Sequence, residues 1–207
     1  MTSRKLALIM GVANQRSIAW ACVQSFLSRN YDCILTYQSA RFEKTVQKLI
    51  EQKGSSSFGR ILGALTRELA EQDLIHKPDI GMTGNHSSLV ALTYLGAVRA
   101  VPNYQSMGPA KAALEAMVRG LALEYGPTHQ LHVNAVSAGP IATAAARGGI
   151  RNFSTLQQAV KDTSPLRRNV SAEEVANVVS WLSDSTGVTG QTVYVDGGYS
   201  SVVPIAL

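Results

Sequence analysis

The sequence predicts an α/β protein built on a doubly wound parallel sheet, and two observations lead to this fold class. Short apolar runs, typical of buried strands, alternate along the chain with amphipathic stretches of helical period. Such alternation is typical of βαβ units, in which helices cover a parallel sheet. Of the 207 residues, 45% are hydrophobic and 16% are charged, a composition that favours a folded domain over disorder.

A β-α-β unit opens the chain. Strands are predicted over 6–10 and 32–37, with a helix over 17–29 between them. The turn Gly11-Val12-Ala13 lies where doubly wound folds bind the pyrophosphate of a dinucleotide. The turn does not match G-x-G-x-x-G, so the pattern alone leaves a plain strand–helix turn and a nucleotide site equally open.

The next part of the chain departs from the regular alternation. A second helix is predicted over 41–52, followed by a helix-like run over 61–72 and a turn-rich stretch over 77–85. Each βα unit needs roughly 25 to 30 residues, so this interval is too short for two more units. We therefore predict one domain over 1–207, atypical and shortened over 53–86, that lacks one or two central βα units.

Regular alternation resumes after this interval. The predicted elements are strand 88–93, helix 104–125 ended by Gly126-Pro127, strand 131–136, helix 175–182 and strand 192–195. Ser171 and Glu174 have the spacing of a capping box, which predicts the start of the helix over 175–182.

The helix that begins near Tyr104 carries the first candidate for chemistry. Tyr104 and Lys111 are expected about two turns apart on one side of this helix. An ammonium near a phenol favours the phenolate and stabilises a developing negative charge. On the pattern alone, however, such a pair is more often two surface residues than a catalytic pair.

A longer set of residues indicates a family. Tyr94, Pro102-Asn103-Tyr104, Met107-Gly108, Ala110-Lys111-Ala112 and Leu114-Glu115-Ala116 resemble the active-site segment of the enoyl-acyl-carrier-protein reductases. These enzymes are the branch of the short-chain dehydrogenase/reductase superfamily that uses NADH in fatty-acid synthesis. The Tyr-x6-Lys spacing, with a second tyrosine ten residues upstream, differs from the commoner Tyr-x3-Lys pattern of the superfamily. It disfavours a superfamily dehydrogenase acting on alcohols.

The resemblance implies a Rossmann-like fold and a reaction. In the family, hydride passes from NADH to C3 of a trans-2-enoyl thioester, and the resulting enolate is protonated. The resemblance implies that Tyr104 bonds the thioester carbonyl and that Lys111 holds the nicotinamide ribose. It further implies that Tyr94 supports Tyr104 and that Tyr94, Met107 and Ala144 border the acyl chain.

Cofactor-binding residues also come from the resemblance, since Gly11-Val12-Ala13-Asn14 and Ser17-Ile18-Ala19 are similar to the family's cofactor loop. The implied set is Gly11, Ala13, Ser17, Ile18, Gln38, Lys111, Gly139, Pro140, Ile141 and Thr143. Many NAD enzymes carry an acidic residue at the place of Gln38. The residues therefore leave NADH and NADPH open, and the resemblance favours NADH.

Partners and location follow from the resemblance and from composition. The resemblance implies an acyl-carrier-protein thioester as substrate and a homotetramer. The net charge of +5 is spread along the chain without basic runs interleaved with aromatics, so no nucleic-acid partner is expected. The apolar run near the N-terminus is too short to span a membrane, which favours a cytoplasmic protein.

The cysteines and histidines give no sign of a metal site. Cys22 and Cys33 lack metal-ligand spacing and are expected to be buried free thiols. None of the four histidines has a cysteine or carboxylate partner at the spacing of a metal site or a catalytic triad.

A second function stays open at this point. The family's Asp-Val pair after the third strand and its Ser-Ile/Val-Gly segment after the fourth are absent from this sequence. In the family those segments hold the adenine ring and border the nicotinamide ribose. The alternative is therefore a catalytically inactive or truncated paralogue that retains an oligomerisation surface.

Overall fold

A computed structural model describes residues 5–53, 60–66 and 87–202 of the chain. The chain divides into two compact units, Met1–Thr83 and Gly84–Leu207. Each unit carries a three-stranded sheet, and every strand pair in the described ranges is parallel. Helices alternate with these strands, so the predicted α/β fold class is confirmed. The single domain over 1–207 stays a prediction.

The first unit contains β1 (Lys5–Ile9), α1 (Ile18–Ser28), β2 (Tyr31–Tyr37), α2 (Glu43–Lys53) and β3 (Ile61–Thr66). Its sheet has the order β1-β2-β3. Its core includes Trp20 and Val23 from α1 and Leu35 from β2, all buried. Cys22 and Cys33 are buried free thiols, as predicted. Burial raises the pKa of both thiols to about 12, so neither is a reactive thiolate at neutral pH.

The strand β3 corrects the sequence prediction. A helix was expected over 61–72, but 61–66 form a strand that pairs in parallel with β2, from Cys33–Ile61 to Tyr37–Thr66. A short run of isoleucine, leucine and alanine fits a buried strand as well as a helix. Hydrogen bonding to the backbone of β2 favours the strand. Residues 67–72 and the turn-rich stretch 77–85 lie outside the described part. The third strand of the fold is therefore present.

The second unit contains β4 (Ser87–Thr93), α3 (Met107–His129), β5 (Leu131–Ala138), α4 (Ala144–Gly149), α5 (Phe153–Thr163), α6 (Ala172–Asp184) and β6 (Thr192–Val195). Its sheet has the order β4-β5-β6. β4 follows β5 from the pair Ser87–Leu131 to the pair Thr93–Ser137. One core cluster joins α3 to β5 through Val118, Ala122, Leu131, Val133 and Ala135.

The helix α3 differs from its prediction at both ends. It begins at Met107, so Tyr104 precedes it, and it continues through Gly126-Pro127 to His129. A proline in the last turn removes only one backbone donor, a small loss next to that of a mid-helix proline. The helix ends at Gln130, which has a left-handed backbone with φ of 50° and donates its amide to the Gly126 carbonyl at 3.0 Å.

Among the described residues, β1 is an outer strand of the first sheet and β4 is an outer strand of the second sheet. In doubly wound sheets a further strand pairs with the first one, but no pairing on that side of β1 occurs among the described residues. Leu6 and Leu8 are 44% and 43% exposed, and alternation places both on one side of β1. Leu89 of β4 is 39% exposed. Such exposure is unusual for strands that parallel sheets normally bury on both faces.

The start of α6 confirms the predicted capping box. The Glu174 amide donates to Ser171 Oγ at 3.2 Å, and the Ser171 amide donates to Glu174 Oε2 at 2.8 Å. Arg168 forms a bidentate ion pair with Glu174, with Nη1 and Nη2 at 2.9 and 2.7 Å from its carboxylate oxygens. The Arg168 guanidinium, helped by the Ser171 amide, lowers the pKa of Glu174 to about 2.

We expect Glu174→Gln to lower the melting temperature at pH 7 by about 2–4 °C, for a loss of about 1 kcal/mol at a partly exposed cap. The pKa of Glu174 is lower in the folded protein than in the unfolded chain, where it is about 4.3. Its contribution is therefore complete above that value and declines as pH falls towards 2. Thermal unfolding of both proteins between pH 7 and pH 3 measures this.

Glu173→Gln is the matched control, because Glu173 lies in the same first turn of α6 and the substitution is identical. A much smaller shift is expected for it. A temperature difference for Glu174→Gln that stays constant down to pH 3 would contradict the assigned cause.

Candidate active site

Two tyrosines form the centre of the candidate site. The rings of Tyr94 and Tyr104 pack edge to face, with centroids 4.9 Å apart and planes inclined at 69°. Tyr94 follows β4 directly, and Tyr104 lies three residues before α3. The turn Leu95–Ala97 after Tyr94 is a single 3-10 turn, which reverses the chain. The structure therefore brings together the two tyrosines that the sequence singled out.

Two glycines make this packing possible. A Cβ at Gly96 would lie 2.5 Å from Cδ1 and 2.8 Å from Cε1 of Tyr104, closer than real Cβ atoms come. A Cβ at Gly108 would lie 2.8 Å from the Gly96 carbonyl oxygen. The first turn of α3 thus approaches the turn after β4 at the distance of backbone contact. The sequence analysis gave Gly96 no role, since nothing in the sequence indicates which ring will lie against it.

Lys111 contacts the strand rather than the phenol. Its Nζ donates to the Leu92 carbonyl at 2.9 Å, and burial lowers the pKa of this ammonium. Burial raises the pKa of Tyr104, whereas a dominant neighbouring cation would lower it. The phenol of Tyr104 is therefore held protonated, so it is available as a hydrogen-bond donor at neutral pH.

The turn after β6 borders Tyr94. Burial raises the pKa of Tyr94, and the phenols of Tyr199 and Tyr104 and the Asp196 carboxylate raise it further. Asp196 is itself buried and accepts hydrogen bonds from the amides of Gly198, at 2.9 Å, and Ser200, at 2.8 Å. The sequence analysis assigned no role to Asp196-Gly197-Gly198. The acidic residue before two glycines was the available signal for this tight turn.

The predicted cofactor loop after β5 approaches the same turn. The Gly139 amide donates to the Val195 carbonyl at 2.8 Å, and a Cβ at Gly139 would lie 3.2 Å from Cα of Asp196. Gln157 of α5 donates its side-chain amide to the Pro140 carbonyl at 3.0 Å. This loop is therefore fixed at both Gly139 and Pro140, the residues expected to present backbone atoms to a ligand.

The remaining predicted residues of the second unit lie further along the chain. Ile141 continues the loop, and Thr143 caps α4 by accepting a hydrogen bond from the Ala146 amide at 3.1 Å. Ala144 begins α4, and Met107 begins α3 with 44% of its surface exposed. A solvent-open cavity of about 850 Å³ lies next to α4 and α5, lined by Arg147, Gly148, Ile150, Arg151, Asn152, Phe153, Ser154 and Gln157. None of the predicted catalytic residues lines it.

In the first unit, the turn after β1 has the features of an anion site. Gly11 adopts a left-handed φ of 84° with no atom within 4 Å of an added Cβ. The amides of Gly11 and Val12 both donate to the Thr36 carbonyl, at 3.0 and 2.8 Å. Ser17 caps α1, and the first turn of that helix has no acidic residue. An open glycine turn at a helix N-terminus fits a pyrophosphate.

The other three residues of the predicted cofactor set in the first unit lie beside this turn in the chain. Ala13 belongs to the turn, Ile18 is the first residue of α1, and Gln38 follows β2. Because the Thr36 carbonyl binds the turn, the end of β2 and the turn after β1 are held together.

A parallel α/β fold with a glycine turn after β1 and a Tyr–Lys segment after β4 defines a member of the short-chain dehydrogenase/reductase class. The model of the family described as "Enoyl-(Acyl carrier protein) reductase" matches residues 11–71 and 73–200. The chain belongs to the enoyl-acyl-carrier-protein reductase family, which confirms the resemblance inferred from the sequence.

Individual relatives agree with the family model. The NADPH enoyl-acyl-carrier-protein reductase FabI of Staphylococcus aureus strain MRSA252 is 32% identical over 251 residues, which cover 96% of this chain and 97% of that protein. The NADH enzyme FabI of Neisseria meningitidis is 54% identical over 121 residues, covering 58% of this chain and 46% of that protein. The crystal structure of the Bacillus cereus reductase with NADP+ and indole naphthyridinone has a TM-score of 0.81 at 30% identity, covering 97% and 98% of the two chains.

The alignment with the S. aureus reductase also shows how much shorter this chain is than that protein. It spans 251 positions, but 96% of this 207-residue chain is only about 199 residues. About 52 aligned positions therefore have no residue in this chain. This agrees with the prediction that one or two βα units are missing. At roughly 25 to 30 residues for each βα unit, a loss of this length corresponds to about two such units.

We expect Gly96→Ala to lower the free energy of unfolding by about 1–3 kcal/mol, because the new methyl group must displace the ring of Tyr104. Thermal unfolding measures the loss, and near-ultraviolet circular dichroism reports the altered packing of the tyrosines.

Gly120→Ala is the matched control, since Gly120 lies within α3 and an added Cβ meets no atom within 4 Å. The same substitution there should stabilise the protein by about 0.5–1 kcal/mol through helix propensity. If both variants were stabilised, the close packing of Gly96 on Tyr104 would be refuted.

Proposed function

We propose that this chain is an NADH-dependent enoyl-acyl-carrier-protein reductase that reduces trans-2-enoyl thioesters in fatty-acid biosynthesis. The observation that carries the proposal is the packed pair Tyr94–Tyr104 together with Lys111, whose Nζ lies 2.9 Å from the Leu92 carbonyl. These three residues lie in the segment that resembles the family's active-site segment, and their contacts support a preorganised site in a shortened chain.

The proposed role of Tyr104 is to donate a hydrogen bond to the thioester carbonyl. Reduction at C3 moves negative charge onto that oxygen, so a donor placed there stabilises the transition state more than the ground state. Burial raises the pKa of Tyr104, which keeps its proton in place for this bond. The bound nicotinamide would supply the hydride.

The proposed role of Tyr94 is to hold Tyr104 and to border the acyl chain with Met107 and Ala144. Its edge-to-face contact restricts the ring of Tyr104. The proposed role of Lys111 is to bind the nicotinamide ribose and to supply positive charge near the reacting carbonyl. These roles are all proposals from the family's pattern, supported by the positions of the side chains.

The proposed cofactor residues form two groups. In the first unit they are Gly11, Ala13, Ser17, Ile18 and Gln38, and in the second they are Lys111, Gly139, Pro140, Ile141 and Thr143. The open turn at Gly11 and the doubly fixed loop at Gly139-Pro140 support this set. The relatives include an enzyme named for NADPH, from S. aureus, and one named for NADH, from N. meningitidis. We propose NADH on the family resemblance, since Gln38 itself leaves both cofactors open.

We further propose a cytoplasmic homotetramer acting on acyl-carrier-protein thioesters. Among the helices in the described ranges, none has the length and apolar character needed to cross a membrane. Large apolar side chains are exposed on the second unit and would be covered in an oligomer. They include Leu123 at 80%, Met117 at 59%, Leu166 at 57% and Trp181 at 49%.

Two observations favour a second candidate function, a catalytically inactive member that retains the oligomerisation surface. About 52 aligned positions are missing, and β1 and β4 are edge strands in the described part of the chain. An enzyme of this family needs the cofactor, so cofactor binding separates the two candidates.

We expect NADH at 100 times its dissociation constant to stabilise the folded protein by about 2.7 kcal/mol, which raises the melting temperature by several degrees. In the same buffer the purified protein should oxidise NADH with crotonyl thioester. Tyr104→Phe should lower kcat by about 10²–10³ because it removes the donor to the developing oxyanion.

Tyr125→Phe is the matched control, since Tyr125 lies on α3 with 42% of its surface exposed. It should keep the wild-type rate. A cooperative transition that does not move with NADH, with no thioester-dependent oxidation, would refute the enzyme and favour the inactive member.

A further inference from the structure

A buried polar pair includes the residue that directly precedes Tyr94 and has no role in the proposed chemistry. Glu115 of α3 is 6% exposed, and Thr93, the last residue of β4, is 5% exposed. The Thr93 hydroxyl donates to Glu115 Oε1 at 2.8 Å. A carboxyl group is costly to bury, and an apolar residue of similar size would pack a helix on a strand without that cost. The directed bond to Thr93 is what glutamate adds.

One turn earlier, α3 forms a second side-chain hydrogen bond to β4. Lys111 Nζ donates to the carbonyl of Leu92 at 2.9 Å. Lys111 and Glu115 are four residues apart and share one face of α3. They hold two consecutive residues of β4, and the next residue in the chain is Tyr94. The position of Tyr94 therefore depends on how firmly the end of β4 is held.

The end of β4 depends on these two hydrogen bonds from α3, because β4 is an outer strand. Within the described residues it pairs with β5 on one side and has no ladder on the other. A strand that is hydrogen-bonded to a neighbouring strand on one side only is held less firmly at its end. The side chains of α3 supply hydrogen bonds to the last two residues at that end.

We propose that Glu115 is a positioning residue, which fixes Thr93 through its hydroxyl and thereby sets the ring of Tyr94 against Tyr104. The proposal rests on the proposed function for its effect on rate, but its structural content concerns Tyr94 alone. Loss of the bond lets the end of β4 move relative to α3, and displacement of a catalytic group by about 1 Å lowers the rate by as much as a hundredfold.

The test uses four substitutions in the full chain. Glu115→Leu removes the acceptor and Thr93→Val removes the donor, while Glu115→Gln and Thr93→Ser each keep the bond possible. We expect the first two to lower kcat by about ten- to a hundredfold at an unchanged KM for NADH. We expect Glu115→Gln and Thr93→Ser to stay within about threefold of wild type. Glu124→Leu, at an exposed position of α3, is the control for the charge change.

A second measurement reports the position of Tyr94 without relying on activity. In protein labelled with 3-fluorotyrosine, the ¹⁹F resonance that disappears in Tyr94→Phe belongs to Tyr94. This resonance should shift in Glu115→Leu and Thr93→Val and stay in place in Glu115→Gln, Thr93→Ser and Glu124→Leu. The double variant should resemble each single variant, because both remove one interaction.

The outcomes separate the two proposals. An inactive wild-type protein whose Tyr94 resonance still shifts in Glu115→Leu and Thr93→Val would refute the proposed function and support the role of Glu115. A Tyr94 resonance that is unmoved by both substitutions would overturn the role of Glu115, whatever the activity. Effects on kcat that add in the double variant would also overturn it.

Discussion

The candidate site depends on one close approach, that of the first turn of α3 to the turn after β4. A Cβ at Gly108 would lie 2.8 Å from the Gly96 carbonyl oxygen, so only glycine allows the two backbones to touch. This contact brings Lys111 within reach of the Leu92 carbonyl and leaves room for the ring of Tyr104 over Gly96. A single steric constraint therefore sets both the aromatic pair and the position of the ammonium.

Much of the fold could be predicted from the sequence, because most strands and helices here have a clear period, length and end signal. The strand β3 could not, since the apolar run from Ile61 fits a strand or a helix and its pairing with β2 decides. The end of α3 was predicted at Gly126-Pro127, but the residue with the left-handed backbone is Gln130. Glycine and proline indicate where a helix can end, and tertiary packing selects where it does end.

The candidate site was predictable only in part, for a related reason. Tyr94, Tyr104 and Lys111 form a pattern within one short segment, so a resemblance can identify them. The bond between Thr93 and Glu115 joins residues 22 positions apart in the chain. Neither residue type is unusual at its place, and their contact exists only because α3 crosses the end of β4. Sequence shows which residues carry the chemistry, whereas the contacts that position them require the packed structure.

The hydrogen bonds and ring contact of the candidate site come from one of the two units. The contacts that hold Tyr94, Tyr104 and Lys111 lie within the second unit, which begins at Gly84. β4 keeps its full ladder with β5, from Ser87 to Thr93. The absent family segments are those that the resemblance assigns to the adenine ring and the nicotinamide ribose. For the proposed enzyme, their loss is therefore expected to lower the affinity for the cofactor more than it alters the geometry of the tyrosines.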